Sequence, residues 1–176
     1  MKFFETPLRG ALLIDIEPIK DERGFFARTY CEREFQDHGI EHGFVQCNIS
    51  HNKRKGTLRG LHYQAPPYEE EKLISCTRGS IYDVIVDIRP NSPTYKKWFS
   101  VNLTEKNGKM IYIPSGFAHG FQTLCDDCNV FYQMGNFFQG AASRGIHWSK
   151  NGLNINWPIE NPIVSNRDNS FVSLDF

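Results

Sequence analysis

One stretch, SIYDVIVDIR at 80–89, narrows the possible folds more than any other. Its side chains alternate with a period of two. Tyr82, Val84, Val86 and Ile88 therefore share one face of a strand, and Ile81, Asp83, Ile85 and Asp87 the other. Shorter runs of the same kind recur: ALLIDIEPI after Gly10, then GFFARTY after the turn signal KDERG, then 43–50, 57–64, 72–78, 97–103, 109–113, 119–124 and 129–134. Gly, Pro and Asn punctuate them, and a turn or two of helix fits 31–38. Many short strands at this spacing imply an all-β sandwich or jelly-roll barrel. A chain of 176 residues suffices for one well-buried domain, so 1–176 is read as a single unit. From Ile146 the periodicity stops. That tail carries Trp148 and Trp157 among Asn and Pro, and is expected to be an ordered wrap with its indoles on the barrel.

Charge excludes several function classes. Twenty basic and twenty acidic residues give a formal net charge of zero. A nucleic-acid partner or an anionic membrane would favour a basic face, and neither is expected. An anionic substrate would have to be gripped by a few local cations. No apolar run is long enough to cross a bilayer, and the opening MKFFETPLRG is not a signal peptide, which points to the cytoplasm. The five cysteines are odd in number and lack framework spacing, so reduced thiols are expected. Cys125 and Cys128 have the spacing of half a zinc site, but no second Cys or His pair accompanies them.

Three segments carry the chemistry: RGLHYQ from Arg59 to Gln64, PSGFAHGF from Pro114 to Phe121, and DERGFF from Asp21 to Phe26. Together with VQCNIS, KLISCTRGSIYDVIVDIRPNSPTY and SNRD, all in order, they make the chain resemble the nucleotide-sugar 3,5-epimerase family. That family is typified by dTDP-4-dehydrorhamnose 3,5-epimerase, a branch of the cupins, and the likeness covers nearly the whole chain. It implies a cupin jelly-roll β-barrel with short peripheral helices and a C-terminal wrap, dimerising by exchange of N-terminal strands. It also implies a nucleoside-diphosphate-sugar substrate and a reaction on a 4-keto-6-deoxy sugar that needs neither metal nor redox cofactor.

Such a reaction has demands that can be stated independently. A C4 ketone acidifies the protons on C3 and C5. Inversion needs a base on one face, an acid on the other, and a cation or donor near the ketone oxygen. An imidazole suits the base near neutral pH, and His62 is the candidate. By resemblance, Asp168 in SNRD fixes its tautomer, Tyr132 is the proton donor on the far face, and Lys72 lies near the ketone oxygen with Asp83 holding it in place. Arg23 and Arg59 match arginines that grip the diphosphate, and His119 a histidine lining the sugar pocket. Gln46 and Asn48 are assigned to sugar or nucleotide contacts. One member of each pair Phe25-Phe26 and Phe137-Phe138 is expected to stack on the base while the other fills core, with Phe26 and Phe138 as the stacking candidates.

Residue types alone would not single these positions out. His62 would be an ordinary strand histidine, Arg59 a surface cation, Tyr132 and Lys72 barrel residues, and Asp168 a turn residue. Their joint presence inside matching motifs reverses that reading. His38, His42, His51 and His147 match no motif and are taken as solvated or structural. Arg59 and His62 are an odd number of residues apart, so an unbroken strand would send them to opposite faces. Either Gly60 hosts a bulge, or Arg59 acts at the mouth or across a dimer. Two positions depart from the family: Arg28 stands where an acid is common, and Phe138 where a tyrosine often stacks. Both sit at the nucleotide end, leaving open a dTDP-, CDP- or other NDP-sugar and inversion at C3, C5 or both. The competing functions are a 3,4-ketoisomerase, a non-catalytic sugar-binding cupin, and a metal cupin. The last would need a His-x-His pair that the metal positions here do not present.

Overall fold

The computed structural model describes residues 1–41, 43–150 and 152–173; His42 lies outside them. Among the described residues, thirteen strands form in chain order. They are β1 (Lys2–Glu5), β2 (Leu12–Asp15), β3 (Ile19–Asp21), β4 (Gly24–Phe26), β5 (Gln46–Asn52), β6 (Leu58–Gln64), β7 (Lys72–Arg78), β8 (Ser80–Asp87), β9 (Trp98–Thr104), β10 (Lys109–Ile113), β11 (Phe117–Thr123), β12 (Cys128–Met134) and β13 (Ser143–Gly145). Two short helices, α1 (Glu32–Gln36) and α2 (Asn166–Asn169), lie outside the sheets. A six-stranded sheet runs β1-β2-β10-β7-β12-β5 and a five-stranded one β13-β6-β11-β8-β9. This is the all-β jelly roll that the spacing of short strands predicted.

The period-two strands bury both faces. Ile81 and Ile85 of β8 join Ile74, Ile111, Phe117, Phe121 and Val130 between the sheets. The opposite face of β8 presents Tyr82, Val84 and Val86 to Leu61, Ala118, Ile146 and, from the tail, Leu153, Ile155 and Trp157. On the outer side of the six-stranded sheet, Phe35 of α1 packs with Ile14, Leu73 and Met110. The C-terminal segment is therefore a structural layer. Ile163 exchanges backbone hydrogen bonds with Gly56 and Leu58 at the head of β6, and Trp98 Nε1 donates to the Leu153 carbonyl. Of the tail's two indoles, Trp157 packs on the sheet. Trp148 instead donates from Nε1 to Asn169 Oδ1, tethering α2.

Several expectations need correcting. The strand expected over GFFARTY ends at Phe26, and β3–β4 pairs only with itself as a separate two-stranded hairpin. Neither member of Phe25-Phe26 or of Phe137-Phe138 fills core; all four are exposed, Phe26 at 75 %. An aromatic pair on a lone two-stranded hairpin or in a surface loop has no second layer to bury against. Of the N-terminal strands, β1 and β2 sit in this chain's own sheet.

The parity conflict between Arg59 and His62 resolves as a bulge. Against β11, His62 pairs with His119 but Arg59 pairs with Phe121, so three steps along β6 match two along its neighbour. The extra residue flips the phase and turns both side chains inward. Gly60 allows it: φ is +138°, and a Cβ there would lie 2.5 Å from Gly120 Cα.

Candidate active site

Strand phase decides which side chains meet. On β7, Ile74 and Cys76 face the core, so Lys72, two residues before Ile74, faces inward as well. On β12 the same holds for Val130 and Tyr132. From the other sheet, β6 supplies Arg59 and His62 and β11 supplies His119. These five residues line a single cavity of about 300 Å³, with Asn48 and Phe138 also on its wall. That volume is at the lower end for small-molecule pockets.

His62 and Asp168 form a dyad across 106 residues of chain: His62 Nε2 lies 2.8 Å from Asp168 Oδ1. The second carboxylate oxygen accepts from the Gly60 N–H at 3.2 Å. Asp168 is placed by α2, whose N-cap Ser165 accepts from the Asp168 N–H at 3.1 Å, and by the Ile163 bonds to the head of β6. Burial pushes the Asp168 carboxyl up. The hydrogen bond and charge of His62, then the Gly60 N–H, outweigh it and hold the group below the usual carboxylate range. Tyr132 is displaced the other way. Burial first, then the charge of Asp83, push its phenol well up, and Arg59 offsets only part. It can donate only to a strong base.

Two assignments change. Asp83 does not hold Lys72: its Oδ2 lies 2.8 Å from His119 Nε2, both groups buried. Asp83 is on β8, next to β11 in the five-stranded sheet, whereas Lys72 is on β7 in the other. Lys72 Nζ donates instead to Glu70 Oε1 at 2.5 Å. Second, Arg23, Phe26 and Arg28 are absent from the cavity wall within this chain. Arg23 folds back on Asp21 in the exposed hairpin, and Arg28 pairs with Glu34 at 2.7 Å. Gln46 sits at the cavity's edge, where its Oε1 accepts from the Phe138 N–H at 3.2 Å and its Nε2 donates to Asn48.

Three residues went unforeseen. Glu70 and Arg167 line the cavity, and Asn52 Oδ1 accepts from Arg59 Nε at 2.8 Å. Parity held a signal for Glu70, which precedes Lys72 by two residues. Arg167 adjoins Asp168 in SNRD. Among the described residues, no group of three or more His, Cys, Asp or Glu is placed to hold a metal ion, and no helix is long and apolar enough to cross a membrane.

A family model described as dTDP-4-dehydrorhamnose 3,5-epimerase matches residues 5–175. The chain is 42 % identical over 180 residues to the dTDP-4-dehydrorhamnose 3,5-epimerase of Shigella flexneri, covering 100 % of this chain and 99 % of that protein. A crystal structure of the Bacillus anthracis enzyme of that name, with TDP and pyrophosphate bound, superposes with a TM-score of 0.94 at 39 % identity, covering 97 % of each chain. A Legionella pneumophila dTDP-6-deoxy-D-glucose-3,5-epimerase in complex with dTDP-4-keto-L-rhamnose gives 0.93 at 34 %, covering 98 % of this chain and 92 % of that one.

Proposed function

The chain belongs to the dTDP-4-dehydrorhamnose 3,5-epimerase family, and from that footing we propose how its own residues carry out the reaction. The protein is an isomerase that epimerises a 4-keto-6-deoxy nucleotide sugar at C3 and C5. His62 removes the proton beside the ketone, and Asp168 stabilises the imidazolium that forms. Lys72 faces the oxygen on which enolate charge develops. Tyr132 returns a proton to the opposite face; its raised phenol pKa suits an acid that gives up its proton only to an enolate. The observation that carries this reading is the position of the two groups. His62 stands on the five-stranded sheet and Tyr132 on the six-stranded one, and both line one cavity.

A cavity of about 300 Å³ suits the sugar better than a whole nucleotide sugar. The nucleotide then lies beyond the mouth, past Arg59 and Phe138. Arg23, Phe26 and Arg28 reach it from a second copy of the chain, through exchange of the β3–β4 hairpin in a homodimer. The hairpin's exposed Ile19, Phe25 and Phe26 support this, since such an apolar patch calls for cover. The cytoplasm is the proposed compartment, in keeping with five free thiols.

The test offers dTDP-, CDP-, UDP- and GDP-4-keto-6-deoxy sugars in deuterium oxide and follows label by NMR. Deuterium is expected at C3 and C5 of the dTDP-sugar, with His62→Ala abolishing incorporation while nucleotide affinity stays within twofold. Migration of the keto group, or undiminished exchange in His62→Ala, would overturn the reading.

A further inference from the structure

Glu70 is buried at 5 % exposure on the wall of the cavity. One carboxylate oxygen, Oε1, accepts from Lys72 Nζ. The other, Oε2, is buried without a hydrogen-bond partner among the described residues. A charged acceptor left unpaired in a protein interior is destabilising, so such an atom calls for an explanation. In a substrate pocket the explanation is a donor that arrives with the ligand. A carboxylate can only accept, so the ligand group must be a hydroxyl or amine hydrogen.

The sugar assigned to this pocket has that donor where it is needed. Its C4 ketone can only accept, and the neighbouring C3 carries a hydroxyl. The edge facing Lys72 and Glu70 thus pairs an acceptor with a donor on adjacent carbons, and the two side chains, two residues apart and joined by a hydrogen bond, pair a donor with an acceptor. We propose that Lys72 and Glu70 together read this α-hydroxyketone edge: Lys72 Nζ donates to the C4 oxygen while Glu70 Oε2 accepts the hydrogen of the C3 hydroxyl. The proposal rests on the epimerase reading above and adds a specificity-determining residue to it.

The contact is unequal along the reaction. When C3 loses its proton, C3 becomes planar, and its oxygen comes into one plane with C3, C4 and the C4 oxygen. Both contacts are then satisfied at once by two groups already held together. In the starting sugar C3 is tetrahedral and its oxygen is tilted away from that plane. Glu70 therefore binds the C3 enolate better than the substrate, which raises kcat more than it lowers KM. When C5 is the carbon deprotonated, C3 stays tetrahedral and Glu70 gains nothing. Lys72, facing the ketone oxygen, serves both steps alike.

The experiment is deuterium incorporation at C3 and C5 of the dTDP-4-keto-6-deoxy sugar, comparing wild type with Glu70→Gln, which keeps the shape and removes the charge. Exchange at C3 is expected to fall at least tenfold, mainly in kcat, and exchange at C5 by less than threefold. With the 3-deoxy analogue, the two proteins should exchange C5 at the same rate within twofold. Affinity for TDP, which lacks the sugar, should be unchanged and reports that the variant is folded. Equal losses at C3 and C5, with the analogue losing as much, would show that Glu70 merely holds Lys72, and would overturn the proposal; so would a variant as fast as wild type, or one that no longer binds TDP. Wild-type protein silent at both carbons would overturn the epimerase reading itself, and Glu70's part with it.

Discussion

Replacing Asp168 with Asn tests the dyad with little change of shape. In the proposed mechanism His62 holds a proton taken from the sugar, and the imidazolium then faces the carboxylate at 2.8 Å. At an effective dielectric of about 20, two unit charges at that separation attract by about 6 kcal/mol. The His62 side chain is 38 % exposed, so solvent screening is taken to halve this to about 3 kcal/mol. That is about a hundredfold in kcat. Hydrogen-bond polarity adds to it. The carboxylate accepts from both His62 and the Gly60 N–H, and an amide has only one accepting end. If that end stays with Gly60, the amide N–H₂ turns toward His62 Nε2 and draws the ring proton to Nδ1. The base is then in the wrong tautomer. For Asp168→Asn, initial rates of deuterium exchange should therefore drop by about a hundredfold or more, with TDP affinity by calorimetry unchanged within twofold. A variant retaining kcat within threefold would refute the argument that Asp168 stabilises charge on His62.

Tyr132→Phe should slow formation of the inverted product by about a hundredfold or more, while sugar protons continue to wash out on the His62 side. Parallel loss of both in the NMR time course would place the tyrosine elsewhere in the reaction. Gly60→Ala puts a methyl 2.5 Å from Gly120 Cα at a φ of +138°, and a stability loss of about 2 kcal/mol or more is expected from urea denaturation. A change under about 0.5 kcal/mol, the scatter of neutral surface substitutions, would contradict the packing described for the bulge. Burial pushes Asp87 up, but Arg89, Ser92 and Thr94 outweigh it and bring it to about 2, below its usual 3.8. A depressed carboxyl contributes stability that is complete above its unfolded pKa and lost as pH falls through the folded one. The stability gap between wild type and Asp87→Asn should thus narrow by about 2 kcal/mol on going from about pH 5 to about pH 2; a gap independent of pH would count against it.

The sheets were legible because turns are marked. Runs 72–78 and 109–113 coincide with β7 and β10, and the alternation at 80–89 became β8, both of whose faces proved buried. The four residues of β1 and three of β13 are too short for a period to show. They exist because neighbouring strands offer unpaired backbone, which no local pattern reveals. The four residues of α2 are fixed by Ser165 and by contacts with the barrel. At the site, motifs located His62, Lys72, His119 and Tyr132, and the fold brings all four to one cavity. Parity gave the face of Asp83 but not its partner, because two inward residues on different sheets need not touch. Glu70 was hidden in the run Glu69-Glu70-Glu71, which reads as a solvated acidic stretch until one member is seen to share the phase of Lys72. Arg23, Phe26 and Arg28 were placed at the nucleotide by resemblance, and within one chain nothing draws them there.

The additional residue in β6 also governs how this barrel can diverge. Upstream, the strand's phase is locked to the C-terminal layer through Ile163; downstream, it is locked to β13 through Gly145. Losing one codon between Arg59 and His62 would restore an even ladder, yet would swing either the guanidinium or the imidazole outward, toward the cluster around Trp157. A deletion that a loop would absorb freely is therefore expected to abolish function at this point, because the spacing between that cation and that base sets which way each of them points.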